Sequence, residues 1–376
     1  MLLFSSSPLL VPKRGQTNRK DTAKQKHHNK HKTYKSNTKS TQSMEPIVLH
    51  THTPDKLYAE AILAPSMFYV SAHSCELYMS AINSQGAVDN WNYGKLCTRY
   101  EPAPGTKYVE ASLGALNSYL LRDDGVVVRL AGWCIHAQQK ISCEFIPPPK
   151  VKYIHVSSGY FNSYLLRDDG KVDMIKGAGK IKKTIVPPHS TRYIQIIAGH
   201  MWTCLLRDDG IIEWTKGGGK INKSTACRDN GVIYTTITSS SAESESNQLY
   251  ALRSDGSADK FVCMSRLSVF KLVGNVKCAN TIDADVKYVS GSTCPHATYL
   301  VRSDGAVDKI KRGVTVAYTL NPPPGQYYVA ACAGTAASYL LRSDGKIDRT
   351  TRNGIVSSTQ EAPVDVQSVS ETCTLM

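Results

Sequence analysis

The stretch Ser163-Tyr164-Leu165-Leu166-Arg167-Asp168-Asp169-Gly170-Lys171-Val172-Asp173 decides the architecture of this chain. Residues 163–167 form a short apolar run ending in a charge, the signature of a strand that enters a tight turn. Asp168-Asp169-Gly170 reads as a three-residue hairpin loop, with Gly170 in the left-handed conformation that a side chain would strain. Residues 171–175 (KVDMI) return as the partner strand. Upstream, residues 153–157 (YIHVS) alternate and are β-branched, so they read as a first strand, and residues 158–162 as its turn. Downstream, residues 177–179 (GAG) turn the chain into a short outer strand over 181–186. Pro187-Pro188 ends it, because proline cannot donate to a ladder. The unit is a four-stranded antiparallel sheet.

That unit returns. Residues 119–125, 164–170, 204–210, 250–256, 299–305 and 339–345 share (Tyr/Cys)-(Leu/Ala)-(Leu/Val)-Arg-(Asp/Ser)-Asp-Gly, and a worn seventh copy over 77–86 closes on Gln85-Gly86. The seven glycines, Gly86, Gly125, Gly170, Gly210, Gly256, Gly305 and Gly345, lie 39 to 49 residues apart. A period of this length built on hairpin signals marks a β-propeller with one blade per repeat. The expectation is therefore an all-β, seven-bladed β-propeller of antiparallel sheets over residues 44–372. Prolines recur at the connectors (Pro102 and Pro104, 147–149, 322–324), and residues 239–247 (SSSAESESN) read as an exposed loop. The fifth repeat, over 261–279, has lost its Gly-rich turn. Residues 364–370 (VDVQSVS) resemble a first strand and are expected to help close the ring, as are residues 47–50 (IVLH) from the other end.

The chain carries +14 over 376 residues, and the charge is uneven. Residues 1–43 hold ten Lys and Arg against Asp21, a net +9, with almost nothing that packs. Such a segment cannot offset its ordering entropy, so it reads as a disordered basic tail, with Met44 as an alternative start. Its 24–32 stretch (KQKHHNKHK) serves equally as a nuclear address, a nucleic-acid tail or a solvated leader. No apolar run approaches the ~18–20 residues of a membrane span, and residues 1–11 lack the form of a secretory signal. Eleven scattered cysteines, none as Cys-x-x-Cys, argue against disulfides and zinc. A cytoplasmic or nuclear, reducing setting follows, with no metal and no cofactor.

Residues 209–214 (Asp-Gly-Ile-Ile-Glu-Trp), residues 86–91 (Gly-Ala-Val-Asp-Asn-Trp) and the following Tyr93-Gly94-Lys95-Leu96 carry a family resemblance. Over roughly residues 57–372 the repeat resembles that of the regulator-of-chromosome-condensation family, whose fold the beta-lactamase-inhibitor protein II propellers share. The resemblance implies a seven-bladed propeller and, as one function, guanine-nucleotide exchange or regulation of a small GTPase. The chain departs from the family at Asn117, Asn162 and Ala337, where a His is frequent, and keeps only Gly94-Lys95-Leu96 of a Gly-Gln-Leu-Gly run. The residues with which the founding member promotes exchange have no counterpart that can be placed here.

The six arginines ahead of the hairpins (Arg122, Arg167, Arg207, Arg253, Arg302, Arg342) and the acids Asp173, Glu213, Asp259, Asp308 and Asp348 suggest one cross-strand ion pair per blade, partly exposed and worth ~0–1 kcal/mol. The loops after the third strand are basic. Lys180, Lys182, Lys183, Lys220, Lys223, Lys311, Arg312 and Arg352 lie there, with Lys176, Lys216, Lys309 and Arg349 beside them. These make one rim a candidate dock for an acidic or phosphate-bearing partner: a protein, an anionic membrane or nucleic acid. The leading reading is a non-enzymatic, monomeric interaction scaffold. Carbohydrate binding is the third reading, and Trp91, Trp133 and Trp202 do not recur in register to support it. Gly177-Ala178-Gly179-Lys180 and Gly217-Gly218-Gly219-Lys220 lack the Ser or Thr and the helix of a phosphate loop. Cys373-Thr374-Leu375-Met376 matches a C-a-a-X prenylation box over 373–376, with Cys373 as the lipidated residue and a membrane as its destination.

Overall fold

The computed structural model describes residues 67–362, apart from 75–77, 93–94, 115–116, 132–139, 161, 177–178, 200–201, 217–218, 240–247, 265–268, 279–284, 295–296, 312–313, 335–336 and 352. The seven blades span residues 69–100, 108–145, 153–185, 193–225, 234–276, 288–320 and 328–360. Each is a four-stranded antiparallel sheet of consecutive strands. In blade three the strands are Tyr153–Ser158, Asn162–Arg167, Val172–Lys176 and Lys180–Ile185, within one residue of the sequence reading. Blade five replaces the Gly-rich turn with a longer pair, Ala258–Met264 against Val269–Val276.

The apolar core is seven clusters, one at each junction between neighbouring blades. Between blades three and four, Tyr164, Leu166 and Met174 meet Tyr193, Ile196 and Leu205. Between blades seven and one, Cys332, Tyr339 and Leu341 meet Tyr69, Met79 and Ala81, so the ring is closed by the same packing that joins every other pair. Residues 364–370 and 47–50, expected to supply a closing strand, lie outside the described residues. All seven sheets are complete without them.

The repeated Asp-Gly has a second role that the hairpin reading misses. The carbonyl of Gly170 accepts the amide of Tyr193 in the next blade (3.0 Å), and Gly305 does the same for Tyr328 (2.9 Å). At the seam Gly345 accepts from Tyr69 (2.9 Å). A methyl at Gly305, whose φ is +83°, would collide with the side chain and backbone of Tyr327. Glycine is required there both for the turn and for the approach of the next blade.

Candidate functional site

The hairpin arginines and third-strand acids pair as expected: Arg207 Nη1 lies 3.0 Å from Glu213 Oε1, and Arg302 Nη1 lies 3.6 Å from Asp308 Oδ1. The expected exposure is corrected. Asp173, Glu213, Asp259, Asp308 and Asp348 are buried, each in a network that begins with a tyrosine at the start of the inner strand. The Tyr288 hydroxyl donates to Asp308 (2.8 Å), Tyr193 to Glu213 (2.6 Å) and Tyr328 to Asp348 (2.9 Å). Thr319 donates to the other oxygen of Asp308 (2.6 Å). Burial, followed by the adjacent carboxylate, holds these phenols protonated far above the ordinary tyrosine range. Blade one has Asn83 where the arginine belongs, and Arg99 from the outer strand grips Asp89 instead, at 2.5 and 2.9 Å. This set is internal framework, and the tyrosines are the part that sequence reasoning missed. Their recurrence at Tyr69, Tyr108, Tyr153, Tyr193, Tyr234, Tyr288 and Tyr328 was the available signal.

Antiparallel order puts the turns after the first and third strands at one end of every blade. The outer strands begin there with Lys95, Lys140, Lys180 and Lys220 in blades one to four, then with Val269, Val316 and Val356 in blades five to seven. All four lysines are exposed. The described residues that begin or end strands at this end include no aspartate or glutamate. Lys176 and Lys180, both exposed, stand directly opposite each other across their turn. Like charges so placed weaken pairing, so the arrangement carries a local cost.

Lys182 is exposed on the same outer strand as Lys180, and Lys223 on the same strand as Lys220. Lys183 reaches across to the next blade, where its Nζ donates to the Gly219 carbonyl (3.2 Å). Lys311 is exposed beyond the third strand of blade six. Lys309 is not a rim residue: it is buried, with its Nζ 5.4 Å from the Tyr299 ring centroid and 5.1 Å from that of Tyr318. Arg312, Arg352 and Cys373 lie outside the described residues. Lys95 and Lys140 are the rim members the sequence did not nominate.

The inner strands of all seven blades line a central cavity of about 320 Å³. His155 there places Nδ1 2.6 Å from Glu110 Oε1 and Nε2 3.0 Å from the Ile196 carbonyl. Both contacts are met with hydrogen on both ring nitrogens, which favours the cationic ring. Burial opposes that charge, but Glu110's charge and hydrogen bond and the Ile196 carbonyl prevail, raising its pKa above the ordinary imidazole value. The chain Glu110–His155–Ile196 ties blades two, three and four together, and Gln195 continues it to blade five through the Ile237 amide (2.7 Å) and carbonyl (3.0 Å). Burial lowers the pKa of nearby His73. Among the described residues no three His, Cys, Asp or Glu are grouped to hold a metal ion.

No family model and no curated protein matches the sequence. Solved structures do match. Yeast RCC1 (Prp20), bound to Kap60, superimposes with a TM-score of 0.53 at 13% identity, covering 71% of this chain and 78% of that one. The fold is that of the RCC1 propellers. Prp20p of Saccharomyces cerevisiae, described with its binding properties to Gsp1p and histones, gives 0.51 at 13% identity over 71% of this chain and 80% of that one. Human WBSCR16 gives 0.50 at 13% identity over 70% and 80%. At this identity the likeness is one of architecture. On the RCC1-type frame, the lysine arc occupies one end of four consecutive blades and the Asp-Gly hairpins occupy the other.

Proposed function

We propose that this propeller is a non-enzymatic interaction scaffold that docks an acidic protein partner on the arc of Lys95, Lys140, Lys180 and Lys220. The observation that carries the reading is the run of four lysines at one structural position in four adjacent blades, with no carboxylate among the described strand ends beside them. A single-sign arc of this width steers an acidic surface and weakens with salt. Lys182, Lys223 and Lys311 extend it, and Arg312 and Arg352 belong to the same turns by sequence.

In a chain of residues 44–376, reversing the four arc lysines to Glu should abolish retention on heparin while leaving the melting temperature unchanged. The basic tail is removed because it would itself be retained. Retention that survives reversal would make the arc solvated surface only.

The second reading is regulation of a small GTPase. It is favoured by the matching yeast propeller described with binding properties to Gsp1p. Stimulated nucleotide release across a panel of small GTPases separates the two. Prenylation at Cys373 would add a membrane anchor to either, and intact mass spectrometry of the native protein tests it.

A further inference from the structure

Every inner strand opens with a β-bulge: in blade two the register shifts between Tyr108 and Glu110, in blade four between Tyr193 and Gln195, and in blade six between Tyr288 and Ser290. Blades one, five and seven repeat it on the inner strand, and blade three places it across the same step. A bulge re-aims the extra side chain. Here that residue is Val70, Val109, Ile154, Ile194, Thr235, Val289 or Val329. Val109 is 48% exposed, Ile154 50%, Ile194 40% and Val289 46%. They stand at the Asp-Gly end of the innermost strands, opposite the lysine arc, and Val109, Ile154 and Ile194 directly precede Glu110, His155 and Gln195, which line the central cavity. Val70, Thr235 and Val329 are half-buried, Val70 and Val329 against the junction clusters. The exposed part of the collar is therefore the four aliphatics of blades two, three, four and six, where strand propensity alone would admit threonine as readily as valine.

The residue before each tyrosine forms the next ring outward. It is Lys107, Lys152, Arg192 or Lys287 in blades two, three, four and six, all exposed, and Phe68, Ile233 or Tyr327 in the others. The two rings together contain four cations and no acid. Asp123, Asp168 and Asp208 stand one step farther out beside Lys107, Lys152 and Arg192. Asp123 and Asp208 turn a carboxylate oxygen to the amides of Lys107 and Arg192 (3.1 Å each), and the Asp168 amide donates to the Lys152 carbonyl (2.9 Å). This leaves Lys287 as the cation with a serine, Ser303, at that step.

We propose that this aliphatic collar is a second docking site, which takes an apolar side chain carried on an acidic loop of a protein partner. An apolar ring at an exposed mouth marks an interaction surface, and the cations around it select the flanks of what enters. A second copy of this chain would set cation against cation, and nucleic acid would leave the aliphatic ring without a partner.

The test is fluorescence polarisation with the full chain and two labelled peptides, Asp-Glu-Asp-Leu-Phe-Asp-Glu-Asp and the same peptide with Ser-Ser at its centre. The full chain should prefer the Leu-Phe peptide. The triple variant Val109→Ser, Ile154→Ser, Ile194→Ser should lose that preference by about tenfold or more, since the buried aliphatic area is gone. It should still bind the Ser-Ser peptide as before, because the tail and the lysine arc are untouched. Ile154→Val with Ile194→Val should keep the preference, which controls for folding. Equal binding of both peptides by the full chain, or a preference retained by the triple variant, would overturn the proposal. So would collar-dependent binding to vesicles of phosphatidylcholine and phosphatidylserine in place of the peptide. The preference for Leu-Phe over Ser-Ser does not depend on the lysine arc, which meets both peptides alike, so this site and the proposed docking face fail separately.

Discussion

At the scale of single residues, the repeat motif is a record of buried chemistry. Asp308 is fully buried and receives Tyr288, Thr319 and Arg302, so its charge is compensated only while those partners remain. Breaking a buried pair leaves an uncompensated charge, so Asp308→Ala should cost about 3–5 kcal/mol in a urea unfolding titration. Tyr288→Phe, which removes one hydrogen bond to a charged group, should cost about 1.5–3 kcal/mol. The exposed pair expected from sequence would have made both substitutions nearly silent. Sequence showed the arginine and the acid on adjacent strands of one hairpin, but the tyrosine and threonine that enclose the acid come from the first and fourth strands, 20 and 11 residues away, and do not mark the hairpin itself. A second pair of substitutions separates turn strain from blade packing. Gly325 has φ +75° with nothing within 4 Å of the place an added methyl would take, whereas Gly305 has φ +83° with Tyr327 in the way. Gly325→Ala should cost about 1–2 kcal/mol by thermal or urea melts, from the left-handed backbone alone. Gly305→Ala should exceed it by about 1–3 kcal/mol for the forced shift of a packed neighbour.

At the scale of elements, strands and hairpins were legible because a tight turn, a β-branched run and a proline connector are all local signals. The inter-blade lacing was not, since Glu110, His155 and Gln195 share a structural position but not a residue type. His155 has a raised pKa in the fold, so its contribution is fully present below the ordinary imidazole value of ~6.5 and is lost as pH rises through the raised value. Glu110 supports the cation, while His73, whose own pKa is lowered by burial, works in the opposite direction as pH falls. The stability difference between the native chain and His155→Gln should therefore shrink from about pH 6 to about pH 9 in chemical denaturation. A constant difference over that range would mean that the ring is not held as a cation. Lys95 and Lys140 escaped the sequence reading for a related reason. Lys95-Leu96, Lys140-Ile141, Lys180-Ile181 and Lys220-Ile221 align only once the outer strands are placed, because the turns before them differ in length.

At the scale of the whole molecule, seven clusters at seven junctions make closure a property of every blade, and the ring presents two unlike ends. One carries lysines on four adjacent blades without a described carboxylate at the strand ends. The other mixes acidic hairpins, their mostly half-buried arginines and the exposed aliphatics of the inner strands. The lysine arc is the proposed docking face. Its most direct measurement is quantitative mass spectrometry of proteins captured from the native host, comparing the native chain with Lys95→Glu, Lys140→Glu, Lys180→Glu and Lys220→Glu combined, each with and without residues 1–43. Partners docked on the arc should survive removal of the tail and disappear on reversal of the four lysines. A captured set that is unchanged by the reversal would contradict this.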